Sequence, residues 1–224
     1  ISDDVVRQKW GESVVSALAG AGLAVELFTF PHGEKNKNQA TVSALQDELL
    51  KKRYGRDTLI IALGGGVVGD VAGYVAATYL RGVPYIQVPT TLLAMVDSSI
   101  GGKVGVDTSY GKNTIGAFWQ PSAVIADLGF LKGLPPQEIT SGLLEAIKSF
   151  FTSDKDGLRA VDKLDLNDPP SSLEALQEIV VRSIRFKSGI VARDLREENE
   201  RMILNFGHTV GHAIELLSRY AMPH

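Results

Sequence analysis

Between Asn205 and Glu215 the chain reads Asn-Phe-Gly-His-Thr-Val-Gly-His-Ala-Ile-Glu, which sets His208 and His212 four residues apart. On a helix that spacing puts two side chains on one face, so two imidazoles there can share a divalent cation. Gly207 and Gly211 leave room for close approach, and Asn205 and Glu215 fall on the same stripe. A single buried histidine is more often a hydrogen-bonded core residue; a pair beside glycines suits a metal or an anion. Cysteine is absent from the 224 residues, so a further metal ligand must be an acid or another histidine. Glu145, on an otherwise apolar helix with Lys148 three residues on, is one candidate, and His224 is the other.

A second group of residues suits phosphate. Gly64-Gly65-Gly66-Val67-Val68-Gly69-Asp70 contains G-x-G-x-x-G directly after an apolar run and at the start of a helical pattern. Glycines there let a backbone approach a pyrophosphate, whose charge meets the amides and dipole of a helix N-terminus. The same residues would also serve a tight strand-to-helix turn packed on a sheet. Asp70 sits beside the proposed phosphate, where an anion is unwelcome unless it faces away or pairs. The acid that usually follows the next strand is missing, since Val88 runs into Pro89-Thr90-Thr91; Glu34, with Lys37 three residues on, is an earlier acid that could take ribose hydroxyls. Alone, Glu34 and Lys37 would read as a solvated helix start.

The third group lies between Met95 and Asn113, a long, polar, glycine-punctuated stretch holding Asp97, Lys103, Asp107, Lys112 and Asn113. Connections of that length inside a compact domain are usually functional or disordered. Val96, Ile100, Val104 and Val106 interleave with the polar residues and would anchor it. Lys103 and Lys112 could bring positive charge to a phosphate, or the segment could be a surface hairpin with solvated lysines.

Positioning these groups falls to two kinds of element. In the first half, short β-branched runs alternate with helical spacing, as in a parallel sheet wrapped by helices. Ala24–Phe28, Leu59–Leu63, Tyr85–Val88 and Val124–Ala126 read as strands; residues 39–53 and the segment through Val71, Val75 and Tyr79 read as helices. After Pro135 the apolar spacing is helical throughout, over Ile139–Phe151, Leu173–Val191 and Met202–Leu217, with a loop at Asp165–Ser172. The fold class is therefore α/β, a Rossmann-like domain over residues 1–133 followed by an all-α domain over residues 134–224.

Composition excludes several partners. A net charge of −3 gives no electrostatic reason to expect nucleic acid or an anionic membrane surface. No stretch approaches the roughly 20 apolar residues of a spanning helix. A chain without cysteine suits a reducing, cytoplasmic setting. It opens at Ile1 without Met and stops at Pro223-His224 straight after an apolar segment, so the expectation is a fragment cut at both ends.

Taken together, four stretches resemble the 3-dehydroquinate synthase family: ALGGGVVGDVAGYVAATYLRG (62–82), VPTTLLAMVDSSIGGKVGVDTSYGKNTIGAFWQP (88–121), GLLEAIK (142–148) and LNFGHTVGHAIE (204–215). The glycine turn is shared with sugar-phosphate cyclases and metal-dependent polyol dehydrogenases at large; GGK-V-x-V-D and FGHT-x-GH are far more specific. The resemblance implies an NAD-binding N-terminal domain, a metal-binding C-terminal domain that is incomplete here, and an active site in the cleft between them.

Carried over residue by residue, it implies zinc, or cobalt in its place, on Glu145, His208 and His224, which moves His212 from the metal to the substrate. NAD contacts would be Glu34, Lys37, Gly65, Gly66, Asp70, Thr90 and Thr91, with Lys112 on the cofactor side. Substrate contacts would be Asp97, Lys103, Asn113, Lys148, Lys187, Arg201, Asn205 and His212, and Arg81 would reach the substrate phosphate of the second subunit of a homodimer. The implied activity is a phosphorus–oxygen lyase of the shikimate pathway. It takes 3-deoxy-D-arabino-heptulosonate 7-phosphate to 3-dehydroquinate and phosphate by transient oxidation, elimination, re-reduction and aldol closure. Competing readings are another cyclase, such as 2-deoxy-scyllo-inosose or 2-epi-5-epi-valiolone synthase, a polyol dehydrogenase, or an inactive NAD-binding or dimerisation fragment.

Overall fold

The computed structural model describes residues 1–165, 168, 171–207, 210, 211, 214 and 217. The chain forms two compact units, Ile1–Thr90 with Gly102–Asp127, and Thr91–Gly101 with Leu128 onward. A single cut near residue 133 thus gives way to an interleaved division, because residues 91–101 pack with the helices. Among the described residues no helix is long and apolar enough to cross a membrane.

The first unit is α/β. In chain order it holds β1 (Ser2–Asp3), α1 (Asp4–Val6), α2 (Glu12–Gly20), β2 (Thr29–Phe30), α3 (Gln39–Lys51), β3 (Ile60–Gly64), α4 (Gly66–Thr78), β4 (Tyr85–Pro89), β5 (Lys103–Thr108), β6 (Gly111–Phe118) and β7 (Ala123–Val124). Strands β3, β4 and β7 pair in parallel, as do β1 and β2, and the Leu63 N–H donates to the Ile1 carbonyl (2.9 Å), laying β1 along β3. No strand forms at Ala24–Phe28; the strand lies just beyond it, at Thr29–Phe30, where β1 offers two residues to pair with.

Small residues bring α4 down onto the sheet. A Cβ on Gly69 would stand 2.5 Å from the Gln87 Oε1, and one on Gly73 would overlap the Val104 side chain. Val68, Val71, Ala72, Val75 and Ala76 of α4 are buried there with Ile60, Ala62, Tyr85, Val104 and Val106. Helix α3 starts where the Asn38 side chain accepts the Thr41 N–H (3.1 Å), an N-cap, and buries Val42, Leu45 and Leu49 on one stripe.

The second unit is helical: α5 (Pro136–Ser153), α6 (Lys155–Val161) and α7 (Leu173–Arg193), with a π-helical turn at Ala94–Ser98. Pro136 starts α5 at a position where its missing N–H has no cost, and Ile139, Leu143, Ala146 and Phe150 form its buried stripe. Gly142 lets α5 touch the preceding turn. A Cβ there would lie 2.5 Å from the Leu93 nitrogen and 2.7 Å from the Leu92 carbonyl carbon, atoms that cannot step aside. Gly142→Ala should therefore destabilise the helical unit by about 2 kcal/mol through overpacking, despite the better helix propensity of alanine. Denaturant unfolding followed by far-UV circular dichroism measures it, and a gain in stability would refute the close contact.

The helix expected over Met202–Leu217 begins differently. Glu200–Asn205 is a 3-10 helix, Phe206 is extended and Gly207 has φ +82°, so Asn205 is not on one continuous α-helix with the residues beyond Gly207.

Candidate functional site

In the α/β unit the glycine turn sits where the pattern placed it. Gly65 is extended (φ −77°, ψ −168°) and caps α4, which opens at Gly66. Thr90, almost fully buried, donates its N–H to the Gly64 carbonyl (2.9 Å), drawing the end of β4 to the end of β3. These are the carboxyl ends of parallel strands, where open α/β sheets bind ligands.

Five sequence-predicted residues converge beside this turn. Lys37, 4% exposed, directs Nζ to the Asp70 Oδ2 (2.6 Å) and donates to the Asn113 Oδ1 (2.5 Å), and the Lys112 Nζ lies 3.5 Å from the Glu34 Oε1. The objection to Asp70 is met by pairing. Burial alone would pull the Lys37 ammonium down, but the field of Asp70, Glu34 and Asp107 overrides it and raises its pKa. Burial pushes the Asp70 carboxyl up, opposed by the Lys37 ammonium and reinforced by Glu34 and Asp107.

The glycine-punctuated segment is a hairpin rather than a loop, and its irregularity does the aiming. Between β5 and β6, Val106 pairs Ile115 and Thr108 pairs Gly111, so Lys112, Asn113 and Thr114 bulge opposite the single residue Asp107. Bulges re-aim side chains, and this one turns Lys112 and Asn113 toward Glu34 and Lys37. Lys103, at the start of β5, is exposed. Arg81 is exposed on a turn in which Leu80 (φ +49°), Arg81 (+68°) and Gly82 (+117°) are successively left-handed. The Trp119 ring covers Gly82, and the Trp119 Nε1 donates to the Val83 carbonyl (3.1 Å), holding the turn.

The helical unit gathers a second set. Lys187 on α7 donates to the Asp97 carbonyl (2.8 Å) and to the Asp97 Oδ1 (2.5 Å). Glu145, 8% exposed on α5, is ion-paired with Lys148 one turn on. Arg201 is 2% exposed, and its guanidinium donates to the Leu195 carbonyl (2.7 Å) and the Gly101 carbonyl (3.1 Å). Gly101 is left-handed (φ +104°), and any Cβ there would overlap that guanidinium. Thr91 accepts the Ala94 N–H on Oγ1 (3.2 Å), starting the turn that carries Asp97, and Asn205 donates to the Glu197 Oε1 (2.5 Å). His208, His212 and His224 lie outside the described residues. Among the described residues no three His, Asp or Glu side chains gather as a metal cage.

Two acids to which the sequence assigned no role also shape the site. Asp107 closes the GGK-V-x-V-D motif, and it faces Lys112-Asn113-Thr114 across a short hairpin. Asp194 accepts the N–H groups of Glu198 (3.0 Å), Asn199 (2.8 Å) and Arg201 (2.9 Å), and these bonds, that of Arg201 foremost, hold its carboxyl below the usual range.

Known proteins match along the whole of this arrangement. The family model for the N-terminal part of 3-dehydroquinate synthase matches residues 27–141, and that for the C-terminal part matches residues 142–224. The 3-dehydroquinate synthase of Symbiobacterium thermophilum is 47% identical over 215 residues, 96% of this chain and 60% of the relative. That of Synechococcus sp. is 45% identical over 222 residues, 98% and 60%. The chain thus spans 60% of the length of these curated relatives. Among solved structures, 2-deoxy-scyllo-inosose synthase complexed with carbaglucose-6-phosphate, NAD+ and Co2+ superposes with a TM-score of 0.91 at 32% identity, covering 100% of this chain and 62% of that one. With both family models matched end to end and two relatives near half identity, the chain belongs to the 3-dehydroquinate synthase family.

Proposed function

We propose that the protein of which this chain is part converts 3-deoxy-D-arabino-heptulosonate 7-phosphate to 3-dehydroquinate and phosphate, as a homodimeric cytoplasmic enzyme using NAD and a divalent metal, zinc or cobalt. The α/β unit is its NAD-binding domain and the helical unit its metal and substrate domain. The observation that carries the reading is the buried Lys37, held between Asp70 and Asn113 beside a side-chain-free helix start. Two of its three N–H groups are committed there, which fixes the ammonium and leaves a third for a ligand oxygen.

The residues present suit the cofactor. The extended Gly65 and the α4 N-terminus offer backbone amides to a pyrophosphate. Glu34 offers a carboxylate to ribose hydroxyls, and Lys112 beside it offers positive charge. For the metal, Glu145 supplies a buried carboxylate, and His208 and His224 are the proposed imidazole ligands. When bound, NAD supplies a reversible hydride acceptor and the metal a Lewis acid for two neighbouring hydroxyls.

The chain's own contribution is charge and position. Lys103 and Asn113 of the α/β unit, Lys148, Lys187, Arg201, Asn205 and His212 of the helical domain, and Arg81 from a second copy would each offer a charge or a hydrogen bond to a phosphate dianion or a carboxylate of the substrate. Asp97 fixes the Lys187 ammonium by two hydrogen bonds, and the Asp194 loop fixes Arg201. Substrate held this firmly lets its own phosphate accept the proton, so the side chains orient and stabilise rather than exchange protons.

The test is phosphate release from the heptulosonate phosphate in the presence of NAD and Zn2+, with the phosphate sugars of related cyclases as comparisons. Lys103→Ala should leave NAD affinity unchanged and reduce phosphate release at least about 100-fold, since it removes a charge felt by the departing phosphate. Unaltered release from that variant would count against the role. Preference for another phosphate sugar would move the activity to that cyclase, and stoichiometric NADH would make it a dehydrogenase.

A further inference from the structure

Asp107 stands opposite the three-residue bulge of β6 and touches both Asn113 and the Lys37–Asn38 backbone. Its Oδ1 accepts the Asn113 N–H (2.8 Å) and its own N–H donates to the Lys37 carbonyl (2.8 Å), with Asn38 bridged to it in parallel. Asn113 is left-handed (φ +53°), a conformation asparagine tolerates but does not prefer strongly enough to keep unaided. Next to it the Thr108 and Thr114 hydroxyls share a hydrogen bond (2.8 Å), which secures the rim of the bulge but not its centre.

We infer that Asp107 is a positioning residue for the cofactor half of the site, pinning the bulge so that Asn113 reaches Lys37 and Lys112 reaches Glu34. The inference rests on the NAD reading above. The contact that matters is the placed acceptor on the Asn113 N–H. Without it only the Lys37 contact holds the left-handed Asn113, and the bulge relaxes toward solvent. The Asn113 carbonyl oxygen then leaves Lys37, whose ammonium swings wholly to Asp70, and Lys112 is freed from Glu34. Both cations lose the geometry in which they would meet a cofactor.

Three variants separate placement from charge. Asp107→Asn keeps an acceptor at the same distance and loses the charge; Asp107→Glu keeps the charge and moves the acceptor by a methylene; Asp107→Ala removes both. NAD titration of the chain should give Asn within about threefold of the original, and Glu and Ala each weaker by about tenfold, the loss of one well-placed bond. Hydrogen exchange of the cofactor-free chain should show residues 111–118 exchanging faster in Ala and Glu and unchanged in Asn. Glu binding like the original while Asn binds like Ala would overturn the inference in favour of charge, and unaltered binding in all three would overturn it outright. Should Ala not fold, Asn and Glu decide alone. Exchange that follows the pattern in a chain that binds no NAD would sink the cofactor reading and leave the pin standing.

Discussion

Lys37→Met is expected to destabilise the α/β unit by about 3 kcal/mol at neutral pH, because it strips the counter-charge from a largely buried carboxylate. The Asp70 side chain is 17% exposed and the Lys37 side chain 5%, so water cannot take over the role of the ammonium without rearrangement. Both tryptophans, Trp10 and Trp119, belong to the α/β unit, so their fluorescence follows its unfolding alone. The loss depends on pH in a stated direction. Burial already pushes the Asp70 carboxyl up with Lys37 present, and removing the ammonium pushes it further. The folded variant then holds a proton that the unfolded chain, with a carboxyl near about 3.9, has released. Where the native state binds more protons, stability falls as pH rises. The deficit is therefore small below about pH 4 and grows through the raised folded value toward neutrality. Adding Asp70→Asn should recover most of it. NAD affinity should fall about 100-fold through loss of a charge-assisted contact, and the second substitution should not restore it. A deficit that stays constant from acid to neutral pH would mean that Asp70 is not the group left stranded.

The glycine turn and the strands on either side of it were legible because they obey local rules. Leu59–Leu63 is a continuous apolar run, as a strand buried on both faces requires, and α4 follows from small residues at helical spacing. What escaped depends on partners distant in sequence. Ala24–Phe28 has strand character, but β1 gives it little to pair with, and no window around residue 26 carries that information. The hairpin was visible only as an alternative to a functional loop, since its three-residue bulge breaks the alternation that announces paired strands. Residues 91–101 read as part of the α/β half, yet Leu92 and Leu93 lie against Gly142 of α5. Apolar spacing from Met202 suggested a helix starting there, whereas Asp194 captures three backbone N–H groups and sets a 3-10 turn instead. Asp70 shows the same limit from the other side. Its pairing requirement could be stated from the motif, but its partner lies 33 residues earlier in the chain.

The other large effect concerns the metal. Glu145→Gln and His208→Ala should each weaken Zn2+ or Co2+ binding by more than about 100-fold, since even partners that only orient a ligand contribute between about 10- and 100-fold. Glu145 can serve as a ligand once the Lys148 ammonium yields its carboxylate. Its buried carboxylate is paired with Lys148, a residue of the same helix whose side chain can swing its ammonium to solvent along its apolar stem. Circular dichroism of the Gln variant should accordingly match that of the original chain. The ion pair also makes a prediction of opposite sign. A cation at Glu145 must take the carboxylate from Lys148, so the two positive charges compete for one anion. Lys148→Met removes the competitor and should leave metal affinity equal or higher, while phosphate release falls because the substrate loses an ammonium. Competition with a chromophoric chelator measures the affinities, and phosphate release measures the other half. A metal site built elsewhere would show no such split: Lys148→Met would leave affinity untouched, and Glu145→Gln would retain one tightly bound ion per chain.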